Sequence, residues 1–277
     1  MPELPEVETI KNELLPFLIN KRFIGVKLEN KKIIGYPKPI SFLEKVIGKK
    51  ILNIERRGKY LLFKLSKSYY LTFHLKLSGR LIYRENLKNE VKYSRIKFLL
   101  DKGILIFAEP RLLGRVYLYL DNKLPKVLLS LKKLGKEPLM PDFNFHYLKE
   151  KIKNRRAFIK SLLLNQQIAC GVGNIYSDEA LFCAQIHPKR RSFSLTDEEI
   201  KRLVKCLKKI IRLAIKKKGT SISDYLRPNG QEGSFQNYLK VFKRDGEICV
   251  RCGEKIVRIK INNRSSYFCP NCQKEVL

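Results

Sequence analysis

The sequence predicts an α+β chain of several domains. Three observations predict it. Short β-branched and aromatic segments follow one another from 22 to 120, helical periodicity takes over after about 122, and four cysteines end the chain in a C-x2-C-x16-C-x2-C pattern. The 277 residues are 44% hydrophobic, enough for buried cores, so a wholly disordered basic tail is excluded.

The first element is a helix over 5–18. Pro5 suits its first turn, Glu6 and Glu8 favour its N-terminus, and Val7, Ile10, Leu14 and Phe17 form one stripe. FIGVKLEN, ILNIER, YLLFKL, YYLTFHLKL, RIKFLL, ILIFAE and VYLYL then read as strands, with Asp101–Gly103 as a hairpin turn and a short helix near 40–47. Their regular spacing fits a sandwich or a barrel. Residues 123–134 are Lys- and Leu-rich, and Gly135–Pro141 has the composition of a hinge. Helical stretches are expected at 144–153, 155–166 and 174–184. Another starts at a Thr196–Glu199 capping box and stops at Gly219, with a buried stripe through Ile200, Leu203, Val204, Leu207, Ile210, Ile211, Ala214 and Ile215. Its polar face between 201 and 218 carries Lys and Arg and no acid. A solvated face is the bland reading of that feature. Residues 219–238 are rich in Gly, Ser and Asn and read as a loop.

Charge narrows the partner. Fifty-eight Lys and Arg against 26 Asp and Glu give +32, which calls for a polyanion, nucleic acid first and anionic membrane second. No run of about 18 apolar residues is present to span a bilayer. The acidic, proline-punctuated start MPELPEVETI does not read as a signal peptide.

Seven cysteines, an odd count, argue against a disulfide framework. Cys249, Cys252, Cys269 and Cys272 have the spacing of two knuckles that aim four thiolates at one point, the closed coordination of one structural Zn2+. KIVRIKI between the pairs, followed by NNRSS, reads as a hairpin with its turn near Asn262–Ser265. So small a finger folds on its metal. Cys170, Cys183 and Cys206 lie in apolar helical patterns and read as packing residues.

Five motifs occur in one order: MPELPEVET, RRGKYLLF at 56–63, HLKLSG at 74–79, GVGNIYSDEALF at 171–182 and the four-cysteine finger. Over nearly the full length the chain resembles the formamidopyrimidine-DNA glycosylases of the Fpg/Nei family. The resemblance implies an N-terminal β-sandwich domain over 1–134, a helix–two-turn–helix domain over 135–237 with a lesion-recognition loop at 219–237, and a zinc finger over 238–277. It implies a monomeric, bacterial-type cytoplasmic enzyme with no organic cofactor, acting on damaged double-stranded DNA and not on membranes. The expected activity is excision of oxidised purines, 8-oxoguanine and formamidopyrimidines, followed by β- and δ-elimination.

The residues support these roles chemically. Once Met1 is removed, Pro2 is a secondary amine with a pKa near ~8, partly neutral at pH 7, and its attack on a sugar C1′ leaves an iminium that serves as an electron sink. The resemblance makes Glu3 the acid and base, Glu6 its support, and Lys59 an active-site contact to the phosphate beside the lesion. It makes His74, Asn174 and Arg264 phosphate contacts and Arg111 the partner of the orphaned base. Leu77 stands where the family has an intercalating Met, Leu113 where it has Phe, and Leu112 where it has Arg. Leucine keeps an apolar wedge and gives up aromatic stacking. Thr220, Ser221, Ile222, Ser223, Asp224 and Tyr225 match the mobile loop that covers the everted base. Two alternatives remain at this point: an endonuclease VIII-like enzyme for oxidised pyrimidines, and a non-catalytic basic zinc-ribbon protein that binds nucleic acid.

Overall fold

The computed structural model describes residues 1–86, 90–222 and 224–275, which form two compact units. The first comprises Met1–Lys133 and Lys217–Ser234, the second Leu134–Lys216 and Phe235–Leu277. The sequence reading attached 219–237 to the helices and set the finger apart. Lys217–Ser234 instead groups with the first unit, because Glu6, Arg80 and Glu13 of that unit each hold it by a hydrogen bond or an ion pair.

The first unit opens with α1 (Leu4–Leu18) and continues through β1 (Phe23–Leu28), β2 (Ile34–Tyr36), α2 (Pro39–Val46), β3 (Ile51–Arg57), β4 (Tyr60–Leu65), β5 (Tyr69–His74), β6 (Arg80–Arg84), β7 (Ser94–Leu100), β8 (Ile104–Ala108) and β9 (Arg115–Leu120) to the short α3 (Leu129–Lys132). The strands form a four-stranded sheet, β1-β7-β8-β6, and a five-stranded one, β2-β9-β5-β4-β3. Phe73 of the second sheet meets Phe98 and Phe107 of the first edge-on, at 6.0 and 5.6 Å between ring centroids. Sheet therefore packs on sheet, and the open choice between sandwich and barrel closes on a sandwich.

Two local readings needed correction. Phe17 is not in the buried stripe of α1: it is 52% exposed and stacks on Tyr83, while Leu18 is buried. The stripe continues from Leu14 at the i+4 position, as an α-helix allows. Residues 123–134 form only a 3-10 turn at Lys126–Leu128 and α3. Their Leu128 lies with Tyr117 and Tyr119 on the outer side of the five-stranded sheet, which is why residues 71–74 of β5 are buried without alternation.

The second unit holds α4 (Phe145–Ile152), α5 (Ile159–Leu164), α6 (Asn174–Ala184), α7 (Asp197–Lys216) and the hairpin of β10 (Val257–Ile261) and β11 (Arg264–Phe268). α5 starts four residues later than expected, since Phe158 bridges to Arg191 instead of joining the helix. The capping box of α7 is present: Thr196 N–H donates to Glu199 and Glu199 N–H to Thr196 Oγ1, at 2.8 and 3.2 Å. Asn262 and Asn263, both at positive φ (47° and 60°), make the two-residue turn of the hairpin.

The absence of disulfides is a further expectation that fails. Cys183 of α6 and Cys206 of α7 are bonded, with Cα atoms 5.7 Å apart. The two helices pack on each other, and that tertiary neighbourhood is invisible to spacing along the chain. Cys170 is buried and outside any disulfide, as read. Among the described residues no helix is long and apolar enough to cross a membrane.

Candidate functional site

In the first unit, sheet register gathers the predicted residues at one end of the sandwich. Tyr60 pairs with His74, and His74 with Arg115, so the start of β4, the end of β5 and the start of β9 lie in one row. Three connections leave from that row: the β3–β4 turn with Lys59, the segment 75–79 with Leu77, and the loop 109–114 with Arg111 and Leu113. Gly58 takes the left-handed conformation (φ 58°) that the tight β3–β4 turn requires. Lys59 behind it is buried. Leu77 and Leu113 are 41% and 43% exposed, so both side chains are accessible at this end.

The head of α1 joins this end. Arg56, near the end of β3, donates to Glu8 of α1 at 2.6 Å. Pro2, Glu3 and Glu6 are all buried. Glu6 occupies the third helical position and accepts the N–H of Glu3 on Oε2 at 2.7 Å. Its Oε1 accepts the N–H of Thr220 at 2.9 Å. One carboxylate thus fixes both the residue beside Pro2 and the start of the loop.

That loop is anchored at its ends. Thr220 and Tyr225 are buried, and the Tyr225 hydroxyl donates to the Lys218 carbonyl at 3.0 Å. Ser221, Ile222 and Asp224 are half-buried, and Ser223 lies outside the described residues. Arg80 Nε donates to the Asp224 carbonyl at 2.8 Å, and Arg111 pairs with the Asp224 carboxylate at 3.0 Å.

His74 is buried edge-on against Tyr60, and its Nδ1 accepts the N–H of Lys76 at 3.1 Å. Burial, with Lys76 and Lys59 nearby, lowers its pKa from 6.5 to about 3. The imidazole is neutral at physiological pH, and with Nδ1 accepting, Nε2–H is its donor. It can therefore offer an anion a hydrogen bond and not a positive charge.

Glu109 opens the segment EPRLLGR that carries Arg111 and Leu113, and the structure gives it a role that the sequence does not show. It is fully buried and accepts from Ser78 Oγ, Arg111 N–H and Gly114 N–H. It stitches the segment bearing Leu77 to the loop bearing Arg111 and Leu113. An acid beside a Pro–Arg turn, in a chain so poor in acids, was the available signal.

The second unit brings Asn174 and Arg264 together. Asn174 begins α6 and donates from Nδ2 to the carbonyl of Ser265, at 2.9 Å. Arg264, the residue before, is exposed at the tip of the hairpin. A buried ion pair, Lys160 with Asp178 at 2.6 Å, supports this junction. Lys160 also donates to the Ser265 carbonyl at 3.0 Å, and Asp178 accepts the Tyr267 N–H at 3.2 Å. The sequence reading missed both residues.

The sulfur atoms of Cys249, Cys252, Cys269 and Cys272 lie within 4.8 Å of one another. Tetrahedral Zn–S bonds of 2.3 Å place sulfurs about 3.8 Å apart. Cys249–Cys272, Cys252–Cys269 and Cys252–Cys272 separations of 3.9, 3.4 and 3.5 Å fit one structural zinc ion held by these four residues. Arg251 and Cys272 N–H groups point at Cys249 and Cys269 sulfurs, at 3.4 Å each, as knuckle backbones do.

Three family models match in chain order: formamidopyrimidine-DNA glycosylase N-terminal domain over 1–116, formamidopyrimidine-DNA glycosylase H2TH domain over 134–225, and the zinc finger found in FPG and IleRS over 246–274. The chain is similar to the formamidopyrimidine-DNA glycosylases of Pelotomaculum thermopropionicum and Desulforamulus reducens, each at 42% identity over 99% of both chains. Among solved structures it resembles a mutant of Lactococcus lactis FPG in complex with Fapy-dG-containing DNA, at a TM-score of 0.92 and 34% identity, covering 99% of this chain and 100% of that one. It likewise resembles Lactococcus lactis Fpg with abasic-site DNA, at 0.91 and 33% with the same coverage.

Proposed function

The chain belongs to the formamidopyrimidine-DNA glycosylase family, and from that premise we propose that it excises oxidised purines from duplex DNA through a Schiff base on Pro2 and then cleaves the strand. The observation that carries this reading is the head of α1, where buried Pro2 stands beside buried Glu3 and Glu6 ties Glu3 to the loop at Thr220.

Each step has a residue. With Met1 removed, the Pro2 nitrogen attacks C1′ of the everted nucleotide; the new C–N bond replaces the glycosidic bond, and Glu3 supplies the proton for the leaving base or the sugar oxygen. The iminium then draws electrons as the two phosphates depart by β- and δ-elimination. Lys59, His74, Asn174 and Arg264 hold phosphates, Arg111 faces the orphaned base, and Leu77 and Leu113 fill the stack. Cys249, Cys252, Cys269 and Cys272 hold the zinc ion, which supplies the fold of the finger. The enzyme acts on chromosomal DNA in the cytoplasm.

Borohydride trapping tests the reading. Protein with a free Pro2 should form a covalent adduct with an 8-oxoguanine duplex. Pro2→Gly and Glu3→Gln should lose excision and keep duplex binding. Absence of an adduct, or wild-type excision by either variant, overturns the assignment. Oxidised pyrimidines are a second substrate class, favoured by the similarity to a Lactococcus lactis FPG complex with oxidised-pyrimidine DNA. A thymine glycol duplex run in parallel measures that activity.

A further inference from the structure

Lys201, Lys205, Lys208, Lys209, Arg212 and Lys216 lie on α7. At about 100° per residue they fall within an arc of about 100°, opposite the buried stripe of Leu203, Leu207, Ile211 and Ala214. At 1.5 Å per residue the row is about 23 Å long. No acid follows Glu199 on this helix.

A solvated face ordinarily mixes both signs of charge. This one does not. Lys201 reaches Glu198 at 3.6 Å and Lys208 donates to the Met140 carbonyl at 3.2 Å. Lys205, Lys209, Arg212 and Lys216 are exposed, and among the described residues no carboxylate lies within 4.0 Å of them. Like charges at i,i+4 each destabilise a helix by about 0.2–0.5 kcal/mol. The pairs 201/205, 205/209, 208/212 and 212/216 all carry that cost, and a polyanion laid along the row reverses its sign.

The row lies on the face of α7 opposite its buried stripe, and the residues assigned to the lesion strand lie on α6 and β11. α6 packs against both α7 and β11, and Asn174 and Arg264 lie at the α6–β11 junction. Duplex DNA is stiff over about 150 base pairs, so a short straight segment held at that junction would have to bend to follow a second row on a different helix. We propose that the outer face of α7 is a second docking surface for the backbone of duplex DNA, which lets the protein hold two duplex segments at once. The inference rests on the reading that Asn174 and Arg264 hold the lesion-bearing segment.

Sedimentation of the full-length zinc-loaded protein with an undamaged duplex of about 12 base pairs, near 0.1 M salt, reads the stoichiometry. The wild type should take up two duplexes. The variant K205Q/K209Q/R212Q/K216Q should take up one, and it should keep single-turnover excision and a wild-type or higher Tm. In the wild type the second duplex should dissociate with rising salt at a slope of about 0.9 per phosphate contact. A control with the same net charge, K45Q/K67Q/K123Q/K255Q, should still take up two. One duplex on the wild type, two on the α7 variant, or one on the control overturns the proposal. A wild type that binds no duplex removes the DNA-binding reading itself, which separates the two failures.

Discussion

Arg111 and Asp224 form an ion pair, Nη2 to Oδ2 at 3.0 Å, that ties the side chain assigned to the orphaned base to the loop assigned to the lesion. The Asp224 carboxylate competes with a base for the donors of Arg111 and fixes where its guanidinium points. The Arg111 side chain is 52% exposed, so the pair is worth only about 0.2–1 kcal/mol. Asp224→Asn should therefore tighten binding of an 8-oxoguanine duplex by about two- to fivefold, as titration by fluorescence anisotropy would show. Arg111→Ala should bring excision rates opposite the four bases to within a few-fold of each other. An unchanged ranking would remove Arg111 from that role.

Gly219 tests the bridge at Glu6. It sits at φ +82°, and an added Cβ would lie 2.9 Å from Glu6 Cγ and 3.0 Å from its Oε1. Gly219→Ala strains the backbone by about 1–2 kcal/mol and pushes on the carboxylate that holds Glu3 and Thr220. Excision should fall at least tenfold while binding of undamaged duplex stays within twofold. The melting temperature should drop by a few degrees. Full excision by this variant would show that the bridge is dispensable.

These residues also mark how far the sequence could be read. The four-cysteine spacing, the Thr196–Glu199 box and the Asn262–Ser265 turn are local, so chain order alone located them. The strands were legible because apolar and β-branched segments alternate with turns. The Cys183–Cys206 bond, the Lys160–Asp178 pair and the bridge from Glu6 to Thr220 each join residues whose proximity depends on packing. Separations of 23 and 214 residues leave no periodic trace in the first and last of these. Glu109 is intermediate: its position in EPRLLGR was in view, but its three donors arrive from a folded loop and from Ser78, 31 residues away.

Glu109→Ala strips the acceptor from those donors. Each buried donor left without a partner costs about 1–3 kcal/mol, so the loop bearing Arg111 and Leu113 should lose its shape. Excision from duplex should fall at least tenfold. Trapping of a preformed abasic site, which by the proposed mechanism uses Pro2 and no intact base stack, should fall much less. Glu109→Gln, which keeps the shape and an acceptor oxygen, should lie between. Equal losses in both assays would mean that Glu109 serves the whole unit and not the loop.

His74 makes stability depend on pH. Its pKa falls from 6.5 to about 3 on folding, so the unfolded chain binds the proton that the folded chain refuses. The stabilisation is complete above pH 6.5 and is lost as pH falls from 6.5 toward 3, by at most about 1.4 kcal/mol per pH unit. His74→Gln should flatten the fall of unfolding free energy between pH 6 and 4 by up to that slope. Because the imidazole is already neutral, the acid limb of duplex binding near pH 6 should not move in this variant. A shift of that limb would mean that His74 meets phosphate as a cation.

Metal removal tests the finger and its junction together. Cys269 is fully buried within the four-sulfur cluster, and the hairpin that follows the first knuckle carries Arg264. Zinc contributes on the order of 10 kcal/mol to fingers of this size, far beyond what β10 and β11 supply alone. Chelation, or Cys269→Ala, should unfold the hairpin and lower duplex affinity at least tenfold. The docking contacts give an independent handle. Lys160→Met leaves Asp178 buried without its cation, which costs about 3–5 kcal/mol, yet it leaves all four sulfurs in place. That variant should retain one zinc per chain by metal analysis while its affinity for duplex falls, because Ser265 and the neighbouring Arg264 lose their support against α5 and α6. If affinity survives with zinc bound, the finger alone positions Arg264, and the ion pair serves only the stability of the second unit.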